Sequence, residues 1–104
     1  MLVLQLKRFS YTSYLRSKIS TDVSFPHELD LSPYLADFLR SSPADAVYSL
    51  FAVSCHSGTL GGGHYTAWAN VADGEPAEWV TFNDSICTKT SKAAVTGPSA
   101  YVLF

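Results

Sequence analysis

Two strand-like runs, Tyr65–Asn70 and Glu78–Phe82, are joined by the polar turn Asp73-Gly74-Glu75-Pro76. Runs this close in sequence pair antiparallel, because a parallel crossover needs about a dozen residues or more. In such a hairpin, positions that face each other have a constant index sum. With the turn centred between Asp73 and Gly74 the sum is 147, and position 64 faces position 83. Directly opposed Cβ atoms lie about 4.5–5.5 Å apart. The hairpin therefore predicts His64 beside Asn83 at its open end, next to a glycine-rich loop. A slip of one residue would bring Asp84 opposite instead, and a bulge would change the count again.

That pairing has a chemical meaning. A catalytic imidazole needs an acceptor on one ring nitrogen to set its tautomer, which leaves the other nitrogen free to deprotonate a thiol. Asn does this without adding charge, whereas Asp would also stabilise the imidazolium. Spacing alone leaves His64 open to an ordinary surface or packing role as well. The triplet Gly61-Gly62-Gly63 is not followed by Lys-Ser/Thr and opens no helix, so it is no phosphate loop.

The rest of the chain predicts an α+β fold, a mostly antiparallel sheet with one or two short helices. Leu2–Phe9 reads as a strand with Leu2, Leu4 and Leu6 on one face, and Tyr11–Ser20 as a turn or hairpin arm. Thr21–Phe25 is a strand candidate ended by Pro26. Asp30-Leu31-Ser32-Pro33 signals a helix start, with Ser32 as cap and Pro33 first, continuing through Tyr34, Leu35, Phe38 and Leu39. Ser41–Ala46 reads as a loop around Pro43, Tyr48–His56 as a strand, and Ser57–Gly63 as a loop. Thr88–Ala94 reads as a short helix, Gly97-Pro98 as a turn and Tyr101–Phe104 as the last strand.

A length of 104 residues suits one small domain, and 47% hydrophobic with 13% aromatic residues means a packed core. The net charge of −2, with no run of Lys/Arg among aromatics, argues against nucleic acid as partner. No apolar stretch reaches the roughly 18 residues that would span a bilayer, so no membrane partner is expected. Cys55 and Cys87 stand singly, so no structural zinc site and no other metal or cofactor is expected. Cys55 alternates with Phe51 and Val53 on an apolar face, where burial makes a thiol inert. Packing is likewise expected of Cys87, and His27, beside Pro26, is expected in solvent. Both chain ends read as buried strands without polar flanks, which suggests a piece of a larger unit.

Gly63-His64-Tyr65-Thr66-Ala67 is similar to the histidine box of the ubiquitin-specific proteases, which are papain-like cysteine deubiquitinases. Phe82-Asn83-Asp84-Ser85 resembles their next box, where the residue after Phe is the third triad member. Four further segments match in the family's order: Leu2–Phe9, Val23–Pro26 with Leu29–Tyr34, Tyr48–Gly58, and Ala100–Phe104. The resemblance implies the C-terminal, palm-like part of a papain-like cysteine peptidase fold. It implies His64 as general base, Asn83 as its orienting partner and Asp84 as an auxiliary polar residue. Ser57, Gly62, Gly63 and Tyr65 would flank the C-terminal tail of ubiquitin, whose glycines let a narrow channel exclude larger side chains. His56, near that loop, is open to a structural, tail-contacting or catalytic role.

The implied reaction is hydrolysis of the bond after ubiquitin's C-terminal glycine. Ubiquitin and ubiquitinated proteins would be the partners, in the cytoplasm or nucleus. The family's Gly-Asn-Thr-Cys box and cysteine-paired finger region are absent from the 104 residues. Residues 1–104 are therefore expected to be a partial catalytic domain without the cysteine box, inactive alone. The alternatives are a non-catalytic ubiquitin-binding remnant and a truncated, inactive gene product.

Overall fold

The structure, a computed structural model, describes residues 1–36 and 46–104. In chain order its strands are β1 (Leu4–Gln5), β2 (Phe9–Tyr11), β3 (Arg16–Lys18), β4 (Glu28–Asp30), β5 (Val47–Ser49), β6 (Ala52–Thr59), β7 (Gly62–Asn70), β8 (Trp79–Asn83), β9 (Ile86–Thr90) and β10 (Ala100–Leu103). Six of them form one antiparallel sheet in the order β1-β10-β6-β7-β8-β9, and β2–β3 and β4–β5 are separate two-stranded hairpins. The run β6 to β9 is a meander of three hairpins. Each side chain on it therefore faces a position dictated by register and strand alternation.

The expected central hairpin forms, with a different register. Ala67 faces Phe82 and Asn70 faces Trp79, an index sum of 149. The cause is the Asn70 carboxamide, whose oxygen accepts the backbone N–H groups of Ala72 (3.2 Å) and Glu78 (2.9 Å). Together with the Val71 N–H to Glu78 carbonyl bond of 2.9 Å, this moves the turn centre to between Gly74 and Glu75. A shift of two in the sum keeps every side chain on its face, because the side-chain period of a strand is two.

Period-2 alternation puts Val53 and Cys55 on one face, where they join Trp79, Val95, Ala100 and Leu103 in the core. Leu6, Phe25, Leu50, Trp68 and Ala77 pack around these residues. The β2–β3 hairpin lies on the other face and is fastened by two cations. The Arg8 guanidinium is buried and donates to the carbonyls of Ala100 (2.9 Å), Ile19 (3.4 Å) and Thr21. Lys18 Nζ donates to the His56 carbonyl at 2.8 Å.

Several expectations are corrected. The expected mostly antiparallel sheet is present, but the helical part of the α+β expectation shrinks: no α-helix occurs among the described residues, and helical turns with described bounds are the short Ser32–Tyr34 and Lys92–Ala94. The turn at Ser32–Tyr34 is led by Asp30, whose carboxylate accepts the Ser32 N–H at 2.8 Å, and Leu35 is already extended. The continuation to Phe38 and Leu39 and the loop around Pro43 lie outside the described residues. Thr88–Ala94 is mostly strand, because Thr88, Lys89 and Thr90 pair with Thr81, Val80 and Trp79.

Thr21–Phe25 forms no strand, and its carbonyl at Thr21 serves Arg8 instead. The Leu2–Phe9 strand is shortened to β1, although Leu2, Leu4 and Leu6 do line one apolar cavity of about 250 Å³. Tyr48–His56 divides between β5 and β6. Ser57–Gly63 is not a loop: Ser57 faces His64, Gly58 faces Gly63 and Thr59 faces Gly62, leaving Leu60-Gly61 as the turn. At Gly58, φ is +96°, and a Cβ would lie 2.8 Å from the Gly62 oxygen, so only glycine fits that close approach.

Candidate active site

His64 lies on β7, Asn83 ends β8, and Asp84 opens the two-residue turn into β9. With the observed register, Asn83 is diagonal to His64 rather than opposite. Diagonal same-face neighbours are about 7–8 Å apart at the backbone, a gap that long side chains bridge. His64 Nε2 and Asn83 Oδ1 are 2.6 Å apart. A carboxamide oxygen only accepts, so Nε2 carries the proton and donates it. Nδ1 is then the unprotonated nitrogen, with a lone pair available for a proton.

The Asp84 Oδ2 atom is 3.8 Å from the same Nε2, beyond a hydrogen bond but within ion-pair distance. Asp84 has φ 52°, a left-handed conformation that Asp tolerates and that this tight turn uses. Ser57 stands directly across from His64, and its hydroxyl donates to the His64 carbonyl at 3.4 Å. Four of the seven expected site residues, Ser57, His64, Asn83 and Asp84, are thus gathered at one end of one sheet face.

Tyr65 turns to the opposite face. It pairs with His56, and the two rings are 4.8 Å apart. Together with Phe9, Tyr11, Gly62 and Gly63 they line a cleft of about 330 Å³. Gly62 has open space where a side chain would be, whereas Gly63 is covered by the His56 ring. Burial holds the His56 imidazole below its ordinary pKa, and the Lys18 ammonium acts in the same direction.

Phe9 and Tyr11 escaped sequence reasoning, because tertiary packing alone brings the β2–β3 hairpin to this cleft. Their usable signal was an aromatic pair flanking a predicted hairpin arm. His27 is a correction. It is no solvated loop residue: its Nε2 lies 2.9 Å from the Lys92 carbonyl, and its ring meets Trp79 edge-on at 5.5 Å.

Cys55 is buried as expected. Burial pushes its thiol up, outweighing side-chain hydrogen bonds with Ser99 and Thr66 that pull the other way. A thiol held protonated in this way is a poor nucleophile. Cys87 is exposed on the edge strand β9 rather than packed. Among the described residues no group of three or more His, Cys, Asp or Glu could hold a metal ion.

The sequence model of a family described as ubiquitin carboxyl-terminal hydrolase matches residues 1–104. Over 104 residues the chain is 46% identical to Ubiquitin carboxyl-terminal hydrolase 9 of Arabidopsis thaliana, covering 99% of this chain and 11% of that protein. It is 44% identical to Ubiquitin carboxyl-terminal hydrolase 15 of Homo sapiens, covering 99% of this chain and 10% of that protein. Among solved structures it is similar to the yeast SAGA DUBm, with TM-score 0.82 and 30% identity over 98% of this chain and 23% of that one. It is also similar to the SAGA DUB module bound to ubiquitin aldehyde, with TM-score 0.81 and 29% identity over 97% of this chain and 23% of that one. The chain spans about a tenth of the length of the first two relatives.

Proposed function

The chain belongs to the ubiquitin carboxyl-terminal hydrolase family, and on that premise we propose that it supplies the general-base half of a cysteine deubiquitinase centre. The observation that carries this is the 2.6 Å hydrogen bond from His64 Nε2 to Asn83 Oδ1. It leaves Nδ1 as the base. The thiol that Nδ1 deprotonates comes from a cysteine box outside these 104 residues. The thiolate attacks the carbonyl carbon of ubiquitin's C-terminal glycine, the imidazolium returns the proton to the departing amine, and water then cleaves the thioester. Asp84 steadies the imidazolium by charge.

The substrate is ubiquitin joined through its C-terminus to another protein, in the cytoplasm or nucleus. The ubiquitin-aldehyde complex of a similar module supports that choice. Gly62, Gly63 and Tyr65 flank the tail in the cleft at the β6–β7 hairpin end, and Ser57 flanks it from the His64 face; the open space at Gly62 leaves room for an extended backbone. The fold is then the palm-like part of a papain-like cysteine peptidase, and residues 1–104 are one part of the catalytic domain. A ubiquitin-binding module without catalysis would have no use for an oriented imidazole.

The test is complementation. The chain is combined with a family half that carries the cysteine box, and hydrolysis of a fluorogenic C-terminal amide of ubiquitin is followed. Turnover is expected only with both halves, and His64→Ala should abolish it. A chain that alone forms an adduct with a thiol-reactive ubiquitin probe through Cys55 or Cys87 would overturn the assignment of the nucleophile. Unchanged turnover by His64→Ala would overturn the base.

A further inference from the structure

The sheet face opposite the His64–Asn83 pair carries a second imidazole that acid–base chemistry leaves unused. His56 is 5% exposed, and its Nδ1 is buried without a hydrogen-bond partner. The rings of Tyr65, Phe9 and Tyr101 surround it, with centroids at 4.8, 5.4 and 6.3 Å. Its remaining side meets Gly63. A Cβ built on Gly63 would land on His56 Nε2 and lie 2.8 Å from Cε1, so the imidazole stands where a side chain at 63 would be.

The backbone under that ring is held from two directions. The His56 N–H donates to the Ser99 carbonyl at 2.8 Å, and the His56 carbonyl accepts from Lys18 at 2.8 Å. The ring is therefore a fixed surface against which the glycine-rich end of β7 rests. Gly62 and Gly63 are held by Thr59 and Gly58 along the ladder, but having no side chains they pack against nothing of their own above the sheet, and at Gly63 the imidazole supplies that contact. His64 follows immediately.

We propose that His56 is a positioning residue. Wedged between the β2–β3 hairpin and Gly63, its ring sets the height of β7 at residue 63 and thereby the aim of the His64 imidazole. This rests on His64 being the general base. Packing is the property at work rather than proton transfer. The imidazole is buried among aromatic rings, its Nδ1 has no hydrogen-bond partner, and the charge that acts on it is the cation of Lys18. Aim matters because a misplacement of about 1 Å in a catalytic group can cost on the order of a hundredfold in rate.

The test compares His56→Ala, His56→Phe and Gly63→Ala in the chain completed by its cysteine-bearing half, with a parallel NMR measurement of the His64 Nε2–H resonance. His56→Ala should lower kcat roughly tenfold or more with a smaller change in KM, and should weaken or remove that resonance. His56→Phe, which keeps an aromatic ring in place, should recover most of both. Gly63→Ala leaves the imidazole chemically intact but crowds both it and the Ser57 carbonyl, which a Cβ would approach to 2.5 Å, and should lose kcat at least as His56→Ala does.

Three results would overturn the proposal: wild-type kcat and resonance in His56→Ala; an effect confined to KM, which marks a substrate contact; or His56→Phe as inactive as His56→Ala with a limb missing from its pH–rate profile, which marks a proton-transfer role. If the wild-type chain itself lacks the protected His64 resonance, the base assignment falls first. If the wild type has it and His56→Ala keeps it, only the role of His56 falls.

Discussion

Replacing Asn83 with Ala removes the acceptor 2.6 Å from His64 Nε2 while leaving the strand and its register in place. The bond strengthens as the imidazole becomes charged, and hydrogen bonds to charged groups are worth about 1.5–3 kcal/mol. The His64 side chain is 47% exposed, so water competes for Nε2 and the low end of that range applies. Roughly 1.5 kcal/mol corresponds to about a tenfold fall in kcat. Asp84, 3.8 Å from the same nitrogen, offers a substitute acceptor in the variant. Asn83→Ala combined with Asp84→Ala should therefore fall by more than the product of the two single effects. Asn83→Asp keeps an acceptor and should stay within a few-fold of wild type. The assay is steady-state hydrolysis of fluorogenic ubiquitin by the completed domain, with kcat and KM separated. A wild-type kcat for Asn83→Ala, or a loss seen only in KM, would refute the orienting role.

A thiol reagent should titrate one cysteine, Cys87, in the native chain and both cysteines after denaturation; rapid labelling of Cys55 in the native state would contradict its burial. Burial depresses the His56 pKa below 6.5, so the unfolded chain binds the extra proton first. Its contribution to stability is complete above about pH 6.5 and is lost as pH falls below that value. Urea midpoints at pH 5 and pH 7.5 should differ in that direction, and His56→Phe should flatten the difference. Arg8→Met should cost about 2–4 kcal/mol, because the carbonyls of Ala100, Ile19 and Thr21 lose a buried donor; a urea midpoint within error of wild type would refute this.

The candidate base and its partner were legible in the sequence because hairpin geometry is a local property. A turn between two alternating runs specifies which faces meet. The error of two in the index sum did no harm, since it preserved the face and left Asn83 within diagonal reach. An error of one would have turned His64 away from Asn83. The strand β9 carries no sequence signal, because Asp84-Ser85 is not among the glycine-containing pairs that announce a two-residue turn. Ser57–Gly63 reads as a loop in the sequence because glycines usually break strands, whereas in the structure they let β6 and β7 approach closely.

His64, Asn83, Asp84 and Ser57 were brought together by contacts within one meander, short in sequence and dictated by strand alternation. That much the chain's own order of residues determined. The cleft beyond them was decided by tertiary structure alone. Phe9 reaches His56, Arg8 spans to Ala100, and His27 docks on Trp79 across long stretches of chain. No periodicity encodes such contacts, because they arise where separate hairpins bury apolar rings against one sheet and must satisfy the polar groups trapped between them.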